Sequence, residues 1–141
     1  LTKVMGPGCE NKEPYLTSYF SLVTETAFNE ETWCISEKIW RPIIHYHPFI
    51  LQGSPFTLRQ IKDLGFKTFS PYINESYDEE KNVKKRMEKL TEEIVRLCSM
   101  SREKMHDWYY SMEEILVYNR NILQNYGRQY STYLDESVNT I

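Results

Sequence analysis

The chain has 141 residues, long enough for one domain with its own core and too short for two. Apolar residues make up 40% and charged residues 26%, a globular balance, and a net charge of −3 gives no electrostatic basis for general nucleic-acid binding. No apolar run approaches the length of a membrane span, and the opening LTKVMGPGCENKEPY lacks the basic-then-apolar layout of a secretory leader.

That opening also lacks an initiator methionine, which reads as a fragment or a trimmed chain. Cys9, Cys34 and Cys98 are far apart in sequence. An odd number of cysteines without close pairs argues against a disulfide framework or a zinc knuckle and predicts a reducing, cytoplasmic setting. Tyrosine is abundant, with 11 residues, and many of these are expected to pack or snorkel on C-terminal helices.

Gly6, Pro7, Gly8 and Pro14 make residues 1–17 a loop or tail. SYFSLVTET, 18–26, is rich in β-formers and predicts a strand whose apolar middle is covered on both faces. Ser36 is a candidate N-cap for a helix reaching about Tyr46. Pro42 either kinks that helix or marks a later start. PFILQG, 48–53, reads as a second strand. TLRQIKDLGF reads as a compact helix with Leu58, Ile61 and Leu64 on one face and Gly65 as its cap. KTF, 67–69, reads as a short third strand. The alternation predicts an α/β class: a partial Rossmann-like parallel sheet of about three strands, followed by a C-terminal helical region.

From Asp78 the pattern changes. Val83, Met87, Leu90, Ile94 and Leu97 form an amphipathic stripe, with Lys84, Lys85, Glu88, Glu92 and Glu93 on the solvated face. Ser101 opens a second helix with a partial capping box, running to about Asn125 and closed by Gly127. The expected organisation is one domain: a tail over 1–17, an α/β part over 18–77, helices over 78–126 and a C-terminal tail over 127–141.

The candidate chemistry lies at Ser36-Glu37-Lys38. In open α/β sheets ligands bind beyond the carboxyl ends of the strands, against helix N-termini, which suit phosphate. A lysine in a first helical turn opposes the dipole and gains when an anion is present. Glu37 suits the dipole and can accept hydrogen bonds from sugar or ribose hydroxyls. The plainer reading makes both residues surface decoration. Glu25 and Thr26 end the first strand on the same rim, as a second pocket wall or as an ordinary turn. Arg41 can share a helix face with Lys38, to clamp a diphosphate or simply to be solvated. His45 and His47 lack acidic or thiol companions at ligand spacing, so strand-entry or interface roles suit them better than metal. His106 reads as ordinary surface. No phosphate-loop, nucleophile-elbow or triad pattern is present.

The segment YFSLVTETAF…CISEKIWRPIIHYHPFILQGSPFTLRQIKDLGFKTF resembles the nucleotide-sugar-binding part of GT-B glycosyltransferases. It is most similar to α1,3-fucosyltransferase-like proteins and a related viral and marine microbial group. The likeness covers roughly residues 18–100 and rests on Glu25-Thr26, then Cys34 through Lys38, then 48–53. It implies that Glu37 binds hydroxyls of the donor's sugar or ribose and Lys38 its phosphates, with Glu25 and Thr26 lining the pocket. The family's asparagine is Thr26 here and its aromatic is Cys34. Asn29 stands where a retaining E-x7-E pair would need an acid before Glu37, so the resemblance implies an inverting transferase. It implies no catalytic metal and no cofactor beyond a nucleotide-sugar substrate such as a GDP-sugar.

GT-B enzymes place their cleft between two domains, and the acceptor domain that usually holds the general base has no counterpart in this sequence. The first expectation is therefore a donor-binding portion, a truncated or split form with little or no transferase activity alone. The second is a non-catalytic α/β interaction or scaffold module, homodimeric through an exposed sheet edge and aromatic helices.

Overall fold

The expected first and second strands both form, and they pair in parallel. The computed structural model describes residues 12–28 and 35–138, with side chains described as far as Gly127. β1, Ser21–Thr24, and β2, Phe49–Gln52, run in register from Ser21 opposite Phe49 to Thr24 opposite Gln52. The Ser21 N–H donates to Pro48 O and the Glu25 N–H to Gln52 O, each at 2.9 Å. Residues 21, 23 and 25 therefore aim their amides at β2, while those of 22 and 24 point away. Three of the four β2 residues are buried. The Leu51 N–H on its far edge donates to the buried Tyr77 hydroxyl at 3.2 Å. β1 departs from the expectation of two covered faces: Val23 is buried, but Leu22 is 47% exposed.

The helix expected from Ser36 begins later. Residues 37–39 form a turn, and α2 covers Trp40–Ile44. Pro42 is thereby the third helical residue, where an N–H has no intrahelical partner to lose, so it fits without a kink. α2 closes with Tyr46 in the left-handed region at φ 54, its N–H donating to Ile43 O while the His47 N–H donates to Pro42 O. This is a Schellman ending built on a tyrosine instead of a glycine. α3, Thr57–Asp63, ends in the same way with Gly65 at φ +89. Here the Gly65 N–H donates to Lys62 O and the Phe66 N–H to Ile61 O. Leu58 and Ile61 are buried as expected, whereas Leu64 is exposed.

The third strand expected over 67–69 does not form. Side chains occupy the backbone groups a neighbouring strand would take. The Lys67 N–H donates to Asn119 Oδ1 and Lys67 O accepts from Asn119 Nδ2, both at 2.8 Å. The Phe69 N–H donates to Glu75 Oε1 at 2.7 Å. The carboxamide of Asn119 reproduces one rung of a ladder and ends the pattern there.

Besides α2, which crosses between the strands, and α3, four further helices are described. α1, Glu13–Leu16, lies within the expected tail and stacks Tyr15 on His45 at 4.4 Å between ring centroids. α4, Val83–Cys98, starts at the N-cap Asn82, whose side chain accepts from the Lys85 N–H. Its buried residues are Arg86, Leu90, Glu93 and Leu97, so the inward face is rotated toward two charged residues. Glu93 is therefore not on the solvated face. Its carboxylate accepts from the Asn74 N–H at 3.0 Å and from Arg96 Nη2 at 2.6 Å. The expected helix over 101–125 is two helices. α5, Arg102–Tyr110, is capped by Ser101, which accepts from the Lys104 N–H, and α6 covers Glu113–Val138. At the break Met112 is fully buried. Gly127 does not end α6, which continues to Val138, into the stretch expected as a tail, because a glycine in a helix costs only about 1 kcal/mol and does not forbid continuation.

Candidate functional site at the carboxyl end of the parallel pair

The rim is built from the strand outward. Just past β1, Glu25 is buried, and its carboxylate crosses to the turn that precedes α2. Oε1 accepts from the Ser36 N–H at 3.0 Å and Oε2 from the Ser36 hydroxyl at 2.7 Å. Lys38 joins them. Its Nζ lies 3.8 Å from Glu25 Oε2 and donates to Thr24 O at 3.2 Å. Thr24 O lies on the outer edge of β1, so Lys38 also covers part of that edge with charge. The lysine side chain remains 44% exposed, leaving its ammonium accessible from solvent.

Glu25, Ser36 and Lys38 are thus brought together. Thr26 and Glu37 are exposed beside them, and Arg41 is exposed on α2. The expectation that a helix start at Ser36 offers free N–H groups to a phosphate is not met, because α2 begins later. The Ser36 amide is held by Glu25, the Lys38 amide by Ser36 Oγ at 3.4 Å, and the Ile39 and Trp40 amides by Ser36 O and Glu37 O. The groups this turn offers to solvent are the Lys38 ammonium and the Glu37 carboxylate, not those amides. Among the described residues, an open depression of about 440 Å³ lies along Lys84, Met87 and Glu88 on α4, and a groove of about 250 Å³ is lined by Ile44, Arg120 and Leu123 of α2 and α6, both away from this rim.

Two charged residues that the pattern did not single out complete the rim. Phe56, at the N-cap of α3, has no side-chain acceptor and takes a left-handed φ of 65. Asp78 supplies the missing cap from 20 residues away, both carboxylate oxygens accepting from the Leu58 N–H at 3.1 Å. Burial pushes its carboxyl up to about 6, against the downward pull of the backbone N–H groups at the head of α3. Arg86, 2% exposed, donates through Nη1 to Glu80 O at 2.8 Å and through Nη2 to Phe28 O, with its guanidinium carbon 4.4 Å from the Phe28 ring centroid. Burial lowers its pKa, yet an arginine remains charged in proteins. The available signal was positional: Arg86 lies four before Leu90 and seven before Glu93, on a single helix face.

The histidines sit at the opposite end of the strands. His47 Nε2 donates to Ser18 O at 2.9 Å, and its Nδ1 is 2.8 Å from Ser21 Oγ, which fixes the entry to β1. Both ring nitrogens are engaged by protein, as suits a strand-entry role. No group of three or more potential metal-binding side chains occurs among the described residues. Among the described residues no helix is long and apolar enough to cross a membrane, and Cys98 is a free, exposed thiol. Cys9, Asn29 and Cys34 lie outside the described residues.

No family model matches the chain, and no curated protein or solved structure matches it either.

Proposed function

We propose that the rim beyond Thr24 and Gln52 binds a nucleotide-sugar, as the donor-binding portion of a GT-B-type glycosyltransferase. On this reading β1, α2 and β2 are one unit of a Rossmann-like layer. Lys38 meets the diphosphate, and Glu37 accepts hydrogen bonds from sugar or ribose hydroxyls. Thr26 and Arg41 flank them. Glu25 and Ser36 act one step back, holding the turn that presents Lys38. The observation that carries the reading is the convergence of Glu25, Ser36 and Lys38 at the carboxyl end of β1, where parallel α/β units bind ligands. Hexosyl or fucosyl transfer would require an acceptor domain with a base to take the acceptor hydroxyl's proton. No resident cofactor or metal enters this proposal.

Saturation-transfer NMR with GDP-fucose tests it. The expected result is saturation on ribose and sugar protons that disappears in Glu37→Ala. Absence of transfer from wild type to this donor, and to a UDP-sugar, would sink the reading.

One observation favours a second reading, an interaction module that keeps the fold without chemistry. Leu22 is 47% exposed on the edge of β1, where its N–H points away from β2. Such an edge can pair with a second copy. Light scattering of wild type and Leu22→Lys decides: a wild-type dimer that the variant splits supports this reading, and a wild-type monomer ends it.

A further inference from the structure

The loop that leaves β1 is tied down at three places. Glu25 holds Ser36, the Ser54 hydroxyl donates to Ala27 O at 3.0 Å, and Arg86 donates to Phe28 O. The third tie is the longest in sequence, bridging 58 residues. We infer that Arg86 is a positioning residue for the rim: its guanidinium fixes the course of residues 25–28, and through them the place of Thr26 and of the Glu25–Ser36–Lys38 contact. The part concerning ligand binding rests on the nucleotide-sugar reading above.

The geometry is specific to arginine. Asn82 caps α4 and sets its register, so that Arg86 enters the interior on the first turn. One arm of the fork then reaches Glu80 O and the other Phe28 O, while Phe28 lies against the guanidinium. A lysine has a single point of attachment and cannot bridge two carbonyls with the same rigidity. No carboxylate oxygen of the described residues lies within 4 Å of the Arg86 guanidinium, although the charges of Asp78 and Glu80 favour it, and its buried Nε has no hydrogen-bond partner there. Burial outweighs the pull of those two carboxylates, so the charge is a poor way to gain stability, and an apolar residue of similar volume would often serve that end as well. What an apolar residue cannot do is hold two distant carbonyls at a fixed separation.

The test uses the full chain with Arg86→Lys, Arg86→Met and, as a control, Leu90→Ala on the same helix. Amide exchange is followed across residues 25–28, and GDP affinity is measured in parallel. The expected result is faster exchange of 26–28 and about tenfold weaker GDP binding in both Arg86 variants, from loss of a charge-assisted hydrogen bond. Leu90→Ala should lower the melting temperature without either change. Should Arg86→Met fail to fold, Arg86→Lys, which keeps the charge and stem, carries the same comparison. Wild-type exchange at 26–28 in folded Arg86 variants would overturn the inference. Failure of wild type to bind GDP would remove the donor reading, and the exchange comparison alone would then decide the role of Arg86.

Discussion

Glu25 and Ser36, eleven residues apart, are joined twice: one carboxylate oxygen accepts the serine amide and the other its hydroxyl, at 3.0 and 2.7 Å. The contact fastens the turn before α2 to the end of β1, so the exposed ammonium of Lys38 has a fixed address. Glu25→Ala leaves the Ser36 groups without their acceptor and should destabilise the protein by about 2 kcal/mol. Ser36→Ala should cost less, about 1 kcal/mol, because only one of the two bonds is lost. A double-mutant cycle on urea midpoints should show coupling between the sites, and additive effects would refute a direct contact.

Asp78 predicts a pH dependence with a definite sign. Its carboxyl is raised from 3.8 to about 6 in the folded protein by burial. The folded state therefore holds the proton more tightly than the unfolded chain. This contribution is full below 3.8 and is lost as pH rises through about 6. Relative to Asp78→Asn, wild type should lose about 2 to 3 kcal/mol of stability between about pH 4 and about pH 7. Parallel curves for the two proteins would show that Asp78 is not shifted.

His47 acts in the opposite direction. Burial lowers its pKa below 6.5, with the backbone hydrogen bond to Ser18 opposing and the neighbouring His45 adding to the fall. Its neutral form uses Nδ1 to accept from Ser21 and Nε2 to donate to Ser18 O, an assignment required because a carbonyl can only accept. The contribution is present above 6.5 and is lost as pH falls through the lower folded value. Urea midpoints of wild type should drop on acidification more steeply than those of His47→Gln. An identical acid limb in both would contradict the assignment.

Asn119 stands where a neighbouring strand would be. Asn119→Ala removes both partners of Lys67 and should cost about 1 to 3 kcal/mol. Amide exchange at Lys67 should rise with it, and an unchanged Lys67 amide would show that water or another group already serves that site.

The elements with strong local signals were legible in sequence. The apolar run at 20–23 and the run PFILQG gave β1 and β2, Gly65 marked the end of α3, and Ser101 the start of α5. What was not legible depended on partners distant in sequence. Residues 67–69 have strand-like composition, but Asn119 and Glu75 take their backbone groups. α3 has a phenylalanine where a capping side chain belongs, and the cap arrives from Asp78. On α4 the sequence carries the period of the apolar stripe but not its direction, because Arg86 and Glu93 are buried by backbone partners that periodicity does not reveal. At the rim, sequence order placed Glu25, Ser36 and Lys38 together. It did not show that Glu25 would bind the turn itself, leaving Lys38 and Glu37 as the outward-facing pair.

The proposed donor site stands or falls with Lys38 as its phosphate contact. Calorimetric titration of wild type and Lys38→Ala with GDP, UDP and GDP-fucose tests it most directly. Wild type is expected to bind one nucleotide class, and Lys38→Ala, folded to the same extent, is expected not to. Wild type that binds none of the three at millimolar concentration, or a Lys38→Ala variant that binds as wild type does, would contradict it.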